Sequence, residues 1–161
     1  MTQATLSRID PKLDLVLERE IDVSPELVWE CWTKAEHLKE WFAPKPWSIG
    51  DVQIDVRPGG IFHAVLVSPE GEAMDGEPGC YLEVVPGRKL VWTDALMPGY
   101  RPSSNPFFTA VIEIEPRGSG TFYRAIAVHR NEEGRKQHEE MGFHEGWGTV
   151  LTQMVEYAKA L

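Results

Sequence analysis

The chain has 161 residues, 42% hydrophobic and 25% charged, the proportions of a soluble globular protein with one core. Its 25 acidic residues against 16 basic ones leave a formal charge of −9, which argues against nucleic acid or an anionic membrane as partner, since either needs a basic face. No apolar run reaches the roughly 20 residues of a membrane span, and the N-terminal MTQATLSRIDPKLDL lacks the apolar core of a secretion signal, so a cytoplasmic protein is expected.

In chain order, LDLVLEREI at 13–21 alternates Leu13, Leu15, Leu17 and Ile21 with Asp14, Glu18 and Glu20, the pattern of a half-buried strand. SPELVWECW follows, with Ser24 placed to cap a helix and Pro25 at its first position. Leu27, Val28, Cys31 and Trp32 then form an apolar stripe at helical spacing. A second short helix near AEHLKEWF buries Leu38, Trp41 and Phe42 and stops before Pro44 and Pro46. From Ser48 the punctuation changes to short runs closed by Gly and Pro: SIGDVQIDV, IFHAVLV, CYLEVV, LVWTDA, FFTAVIEIE and TFYRAIAVH. These read as an antiparallel meander, with RPGG at 57–60 as a strand-to-strand turn and the longest loop at 97–106. Trp147, Val150, Leu151, Met154, Ala158 and Leu161 recur at three- and four-residue steps, which predicts a long C-terminal helix. The order makes an α+β domain, in which the helix buries its stripe against the concave face of the sheet. Cys31 and Cys80, too few and unpatterned for a disulfide framework or zinc site, are read as reduced thiols in or near the core.

This order, with REIDVSPELVWECWTKAEHLKEWFAP at 19–44, DVRPGG at 55–60, GCYLEVVPGRKLVWTDA at 79–95 and RKQHEEMGFHEGWGTVLTQM at 135–154, resembles the START-like helix-grip superfamily. More closely it is similar to the bacterial branch related to the C-terminal domain of the activator of heat-shock-protein-90 ATPase. The resemblance covers nearly everything after residue 12, dividing the chain into an N-terminal extension, 1–12, and a single START-like domain, 13–161. It implies a sheet of about seven strands wrapped around the C-terminal helix, with an internal cavity. Members bind small hydrophobic ligands, act as cyclases or hydrolases, or serve as interaction modules. The co-chaperone role fits poorly, because that protein carries an additional N-terminal domain. The pattern carries over no catalytic residue, so catalytic residues are unknown.

A metal site is not expected. His138 and His144 are six apart, about 240° around a helix, and cannot share a face. His138 instead falls in a charged, solvated helical turn with Glu139 and Glu140. Acid–base chemistry needs a titratable group in a cavity, and strand alternation nominates His63, Asp94, Tyr123 and His129. If Tyr123 faces inward, so do Ala125, Ala127 and His129; Phe122, Ile126 and Val128 offer a competing apolar face, interrupted by Arg124. No Ser–His–Asp order, nucleophile elbow or phosphate loop is present.

Six Trp and six Phe are many for this length. Either they fill volume, or Trp32, Trp41, Trp47, Trp92 and Trp147, with Phe62, Met74 and Met141, line a pocket for an apolar or aromatic molecule. The leading expectation is such a ligand between sheet and helix, bound near Trp41, Trp92, Tyr123, His129, Met141 and Trp147 without metal or nucleotide cofactor. A metal-independent cyclase or hydrolase using His63 or His129 as proton carrier is the alternative, and a homodimeric interaction module the third reading. In HEEMGFHEGWGTVL, Gly142 and Gly146 fall on one helix face, where missing side chains would let the helix approach Ala125 and Ala127. A kink at Gly142 is the rival account.

Overall fold

The computed structural model describes residues 8–161, so residues 1–7 of the N-terminal extension lie outside the described residues. A first strand, β1 (Asp14–Ile21), leads into α1 (Pro25–Thr33) and α2 (Ala35–Trp41). Ser24 caps α1 as its sequence predicts, its Oγ accepting from the backbone N–H of Leu27 at 3.3 Å. The meander then runs β2 (Ser48–Ile54), β3 (Ile61–Val67), β4 (Ala73–Met74), β5 (Gly79–Val85), β6 (Lys89–Thr93), β7 (Leu96–Met97), β8 (Arg101–Pro102), β9 (Thr109–Arg117) and β10 (Gly120–Val128). Seven strands form one antiparallel sheet in the order β1-β10-β9-β6-β5-β3-β2, with β4 paired onto β3 and β7–β8 a separate hairpin inside the predicted long loop. With two short helices after the first strand and a long helix at the end, this is the α+β helix-grip fold.

Register decides which side chains meet. Leu15, Ala127, Ala110, Trp92 and Tyr81 stand in one row across β1, β10, β9, β6 and β5. Tyr123, Ala125 and Ala127 face the helices and are buried with Leu151, Met154 and Ala158 or with Phe143. The rival face of β10 is the outer one. There Ile126 is buried with Val91 and Val111, and Arg124 lies between Glu18 and Glu113, its Nε 2.8 Å from the Glu113 carboxylate. Neighbouring strands shield that pair, which is how an arginine interrupts an apolar face without facing the core. Cys31 and Cys80 are both free and buried.

The long C-terminal helix is present, but it does not reach back through residues 138–142. The segment is two helices, α3 (Glu132–Glu140) and α4 (Phe143–Lys159), separated at Met141 and Gly142. Gly142 has φ +94°, a left-handed conformation that ends α3 and starts α4 in a new direction. The break is the kink, carried further. The close-packing account fails, because a Cβ at Gly142 or Gly146 would meet nothing within 4 Å. α4 ends before Leu161, which is exposed. Gln153 ties α4 to the end of α2, donating to the carbonyls of Trp41 and Ala43 at 3.0 and 2.8 Å and accepting from the N–H of Lys45.

Candidate functional site

Between sheet and helices the aromatic rings form one connected system. Trp92 on β6 stacks on Phe62 of β3 at 4.2 Å between centroids, and Phe62 meets Tyr81 of β5 edge-on at 5.5 Å. On the helical side Trp32 touches Trp41 at 5.0 Å and Trp92 at 6.4 Å, with Phe42 wedged between them. Trp147 in α4 lies parallel to Trp92, 6.5 Å away, and the Phe108 ring stands across both at 5.5 and 6.0 Å. Three buried alanines of β9 and β10, Ala110, Ala125 and Ala127, leave room for this bulk.

The polar ends of these rings divide into two kinds. Trp41 donates its indole N–H to the carbonyl of Cys31 at 3.1 Å, and Trp32 donates to the Tyr123 hydroxyl at 3.1 Å. Trp92 Nε1 and the Tyr81 hydroxyl, on residues paired across β6 and β5, are buried with no hydrogen-bond partner among the described residues. Buried polar groups are nearly always paired, so two exceptions on neighbouring strands call for an explanation. Burial pushes the phenols of Tyr81 and Tyr123 well above their ordinary range, Asp55 adding to the effect at Tyr81, so both remain protonated donors at neutral pH.

At the strand ends the aromatic system meets two histidines. His129 Nδ1 lies 2.8 Å from the carbonyl oxygen of Leu13, and its Nε2 lies 2.9 Å from Nδ1 of His138. Phe107 and Phe108 cover the pair, their backbone N–H groups donating to Asp94 Oδ1 at 2.7 and 3.1 Å. Burial raises the Asp94 carboxyl above its usual range, against the lowering effect of those two donors. Outside Phe107 opens a groove of about 410 Å³, walled by Asp94, Arg130, Glu133, Gly134, Gln137 and Met141.

Trp41, Trp92, Tyr123, Trp147 and His129 thus belong to one connected cluster, with Trp32 and Phe108 as the links between them. Met141 lies outside it on the groove rim, 67% exposed. His63 is on the other side of the sheet. Phe62 points into the aromatic core, so its neighbour on the strand must point out, and His63 Nε2 lies 3.3 Å from Asp75. Met74 is on the two-residue edge strand and 48% exposed, because β4 contributes no inward row. His138 reverses its reading as a solvated residue: it is 7% exposed, turned inward from an otherwise polar helix. Nothing in the sequence marks Tyr81, Phe107 or Phe108 as site residues. Only the register of β5 on β6 and the path of the loop into β9 bring them to the site.

Among the described residues no helix is long and apolar enough to cross a membrane, and no three His, Cys, Asp or Glu side chains converge as metal ligands would.

No curated protein matches the chain. Solved structures do. A protein from Nitrosomonas europaea is 52% identical, the match covering 94% of this chain and 97% of that one with a TM-score of 0.91. At 17% and 20% identity, proteins from Rhodobacter sphaeroides and Arthrobacter aurescens share the fold. Both have TM-scores of 0.80, covering 96% and 99% of this chain and 97% and 94% of theirs. The family described as Activator of Hsp90 ATPase homolog 1-like protein matches residues 22–159, the span from the end of β1 to the end of α4 that builds the aromatic core and its histidine pair, and the chain belongs to that family.

Proposed function

We propose that the protein binds a small aromatic or apolar molecule carrying a hydrogen-bond acceptor, held between the sheet and α4 against Trp92, Phe108 and Trp147. The observation that carries this reading is the pair of buried donors, Trp92 Nε1 and the Tyr81 hydroxyl, without acceptors among the described residues. A donor left unmade in a low-dielectric interior costs about 1–3 kcal/mol, and an acceptor-bearing ligand recovers that free energy on binding. Trp41, Tyr123 and Trp32 form the back wall, their polar ends already satisfied within the protein, Trp41 by the Cys31 carbonyl and Trp32 by the Tyr123 hydroxyl. Half-buried Phe108 and Trp147 form the side nearest solvent. Such a site fits the general pattern of an apolar pocket with a few placed polar groups.

Tryptophan-fluorescence titration with an aromatic ketone, acetonaphthone, tests the reading against Trp92→Phe. The native protein binds it; the variant, with a ring in place but no indole N–H, binds about tenfold more weakly, the loss of one hydrogen bond. Absence of binding to the native protein, or equal binding to both, sinks the proposal.

A further inference from the structure

We propose that the His129–His138 pair is a binding site for the hydroxyl group of a hydroxylated aromatic molecule, with Nε2 of His138 accepting its hydrogen bond. The proposal rests on the aromatic-ligand reading above and adds the polar group that selects among such ligands.

The tautomers follow from the fixed end of the chain of hydrogen bonds. The carbonyl of Leu13 can only accept, so Nδ1 of His129, 2.8 Å away, carries a proton. In the neutral ring this leaves a lone pair on Nε2 of His129. Nδ1 of His138, 2.9 Å from it, must then be the donor. The lone pair of His138 therefore sits on Nε2, and no described residue donates to it. Burial, with His129 beside it, pushes the pKa of His138 down to about 4, so that lone pair is available at neutral pH.

The surroundings name the ligand. Phe107 and Phe108 lie 4.9 Å from the His138 ring and Phe143 at 5.3 Å, which favours an aromatic body. A lone pair requires a donor, which a carboxylate at neutral pH does not offer. A neutral phenol supplies both ring and donor. The groove of about 410 Å³ borders this position through Phe107 and through Gly134 and Met141, one turn before and after His138 on its helix. His138 itself is 7% exposed and does not line the groove, so the hydroxyl reaches it only when the Phe107 ring moves aside.

The test compares naphthol, its methyl ether and naphthalene in tryptophan-fluorescence titrations of the native protein and of His138→Phe, with circular dichroism to check folding. Native protein is expected to bind naphthol about tenfold more tightly than the ether, and the variant to bind the two about equally. Equal binding of naphthol and ether by the native protein overturns the inference while leaving the aromatic-ligand reading standing. So does a naphthol preference that survives in His138→Phe. Failure of all three compounds to bind overturns both. If the variant does not fold, the naphthol-to-ether comparison in the native protein decides alone.

Discussion

Tyr81→Phe removes one oxygen from the centre of the protein and is expected to stabilise it. The hydroxyl is buried without a partner among the described residues, and an unpaired buried polar group costs about 1–3 kcal/mol. The phenyl ring keeps the contact with Phe62 at 5.5 Å, so little packing is lost. A gain of about 1 kcal/mol corresponds to a rise of roughly 2–4 °C in Tm for a chain of this size. Tyr123→Phe is the matched opposite. Its hydroxyl accepts the indole N–H of Trp32 at 3.1 Å, so its loss strands a buried donor and costs about 1–3 kcal/mol. Thermal unfolding followed by circular dichroism on ligand-free protein reads both changes. A Tyr81→Phe variant that melts below the native protein refutes the reasoning, since it would mean that the hydroxyl is satisfied.

Two glycines four residues apart should respond with opposite signs. Gly146→Ala adds a methyl group that meets nothing within 4 Å inside α4 and should stabilise by up to about 1 kcal/mol, whereas Gly142→Ala forces a left-handed residue at φ +94° and should cost about 1–2 kcal/mol. Denaturant titration of both variants checks this, and a destabilised Gly146→Ala would restore the close-packing account of that face. His138 sets a pH dependence. Its folded pKa of about 4 lies below the ordinary 6.5, so the unfolded chain protonates first. The neutral imidazole then supports stability fully above about pH 6.5, and that support is lost as pH falls toward about 4. The effect is up to about 3 kcal/mol. The difference in unfolding free energy between native protein and His138→Phe, followed from about pH 8 to about pH 4, should change through that window; a constant difference rejects it.

The architecture was legible because its signals are local. Ser24 and Pro25 mark a helix start through side-chain and backbone chemistry within one turn. The alternation of LDLVLEREI and the Gly- and Pro-closed runs after Ser48 mark strands and turns in the same way. The sequence itself poses the choice between the two faces of β10, Tyr123, Ala125 and Ala127 against Phe122, Ile126 and Val128. Choosing needed the helices, because both faces are apolar and the outer one buries Ile126 under neighbouring strands rather than under α4.

The site was less legible for a related reason. Trp92 and Trp41 look alike as isolated residues, yet one indole finds the carbonyl of Cys31 and the other finds no acceptor among the described residues. That difference depends on a helix, two strands and a loop arriving together. His138 lies in a run of charged residues whose composition points to solvent, and only the path of the chain from the end of β10 into α3, capped at Asn131, turns its ring onto His129. What the sequence by itself determined is therefore the set of elements and their order, which short-range propensity, periodicity and turn chemistry dictate. Which polar atoms are paired, which are stranded and which two histidines share a hydrogen bond was decided by tertiary structure alone, because each depends on how separate elements pack against one another and not on the residue types along one element.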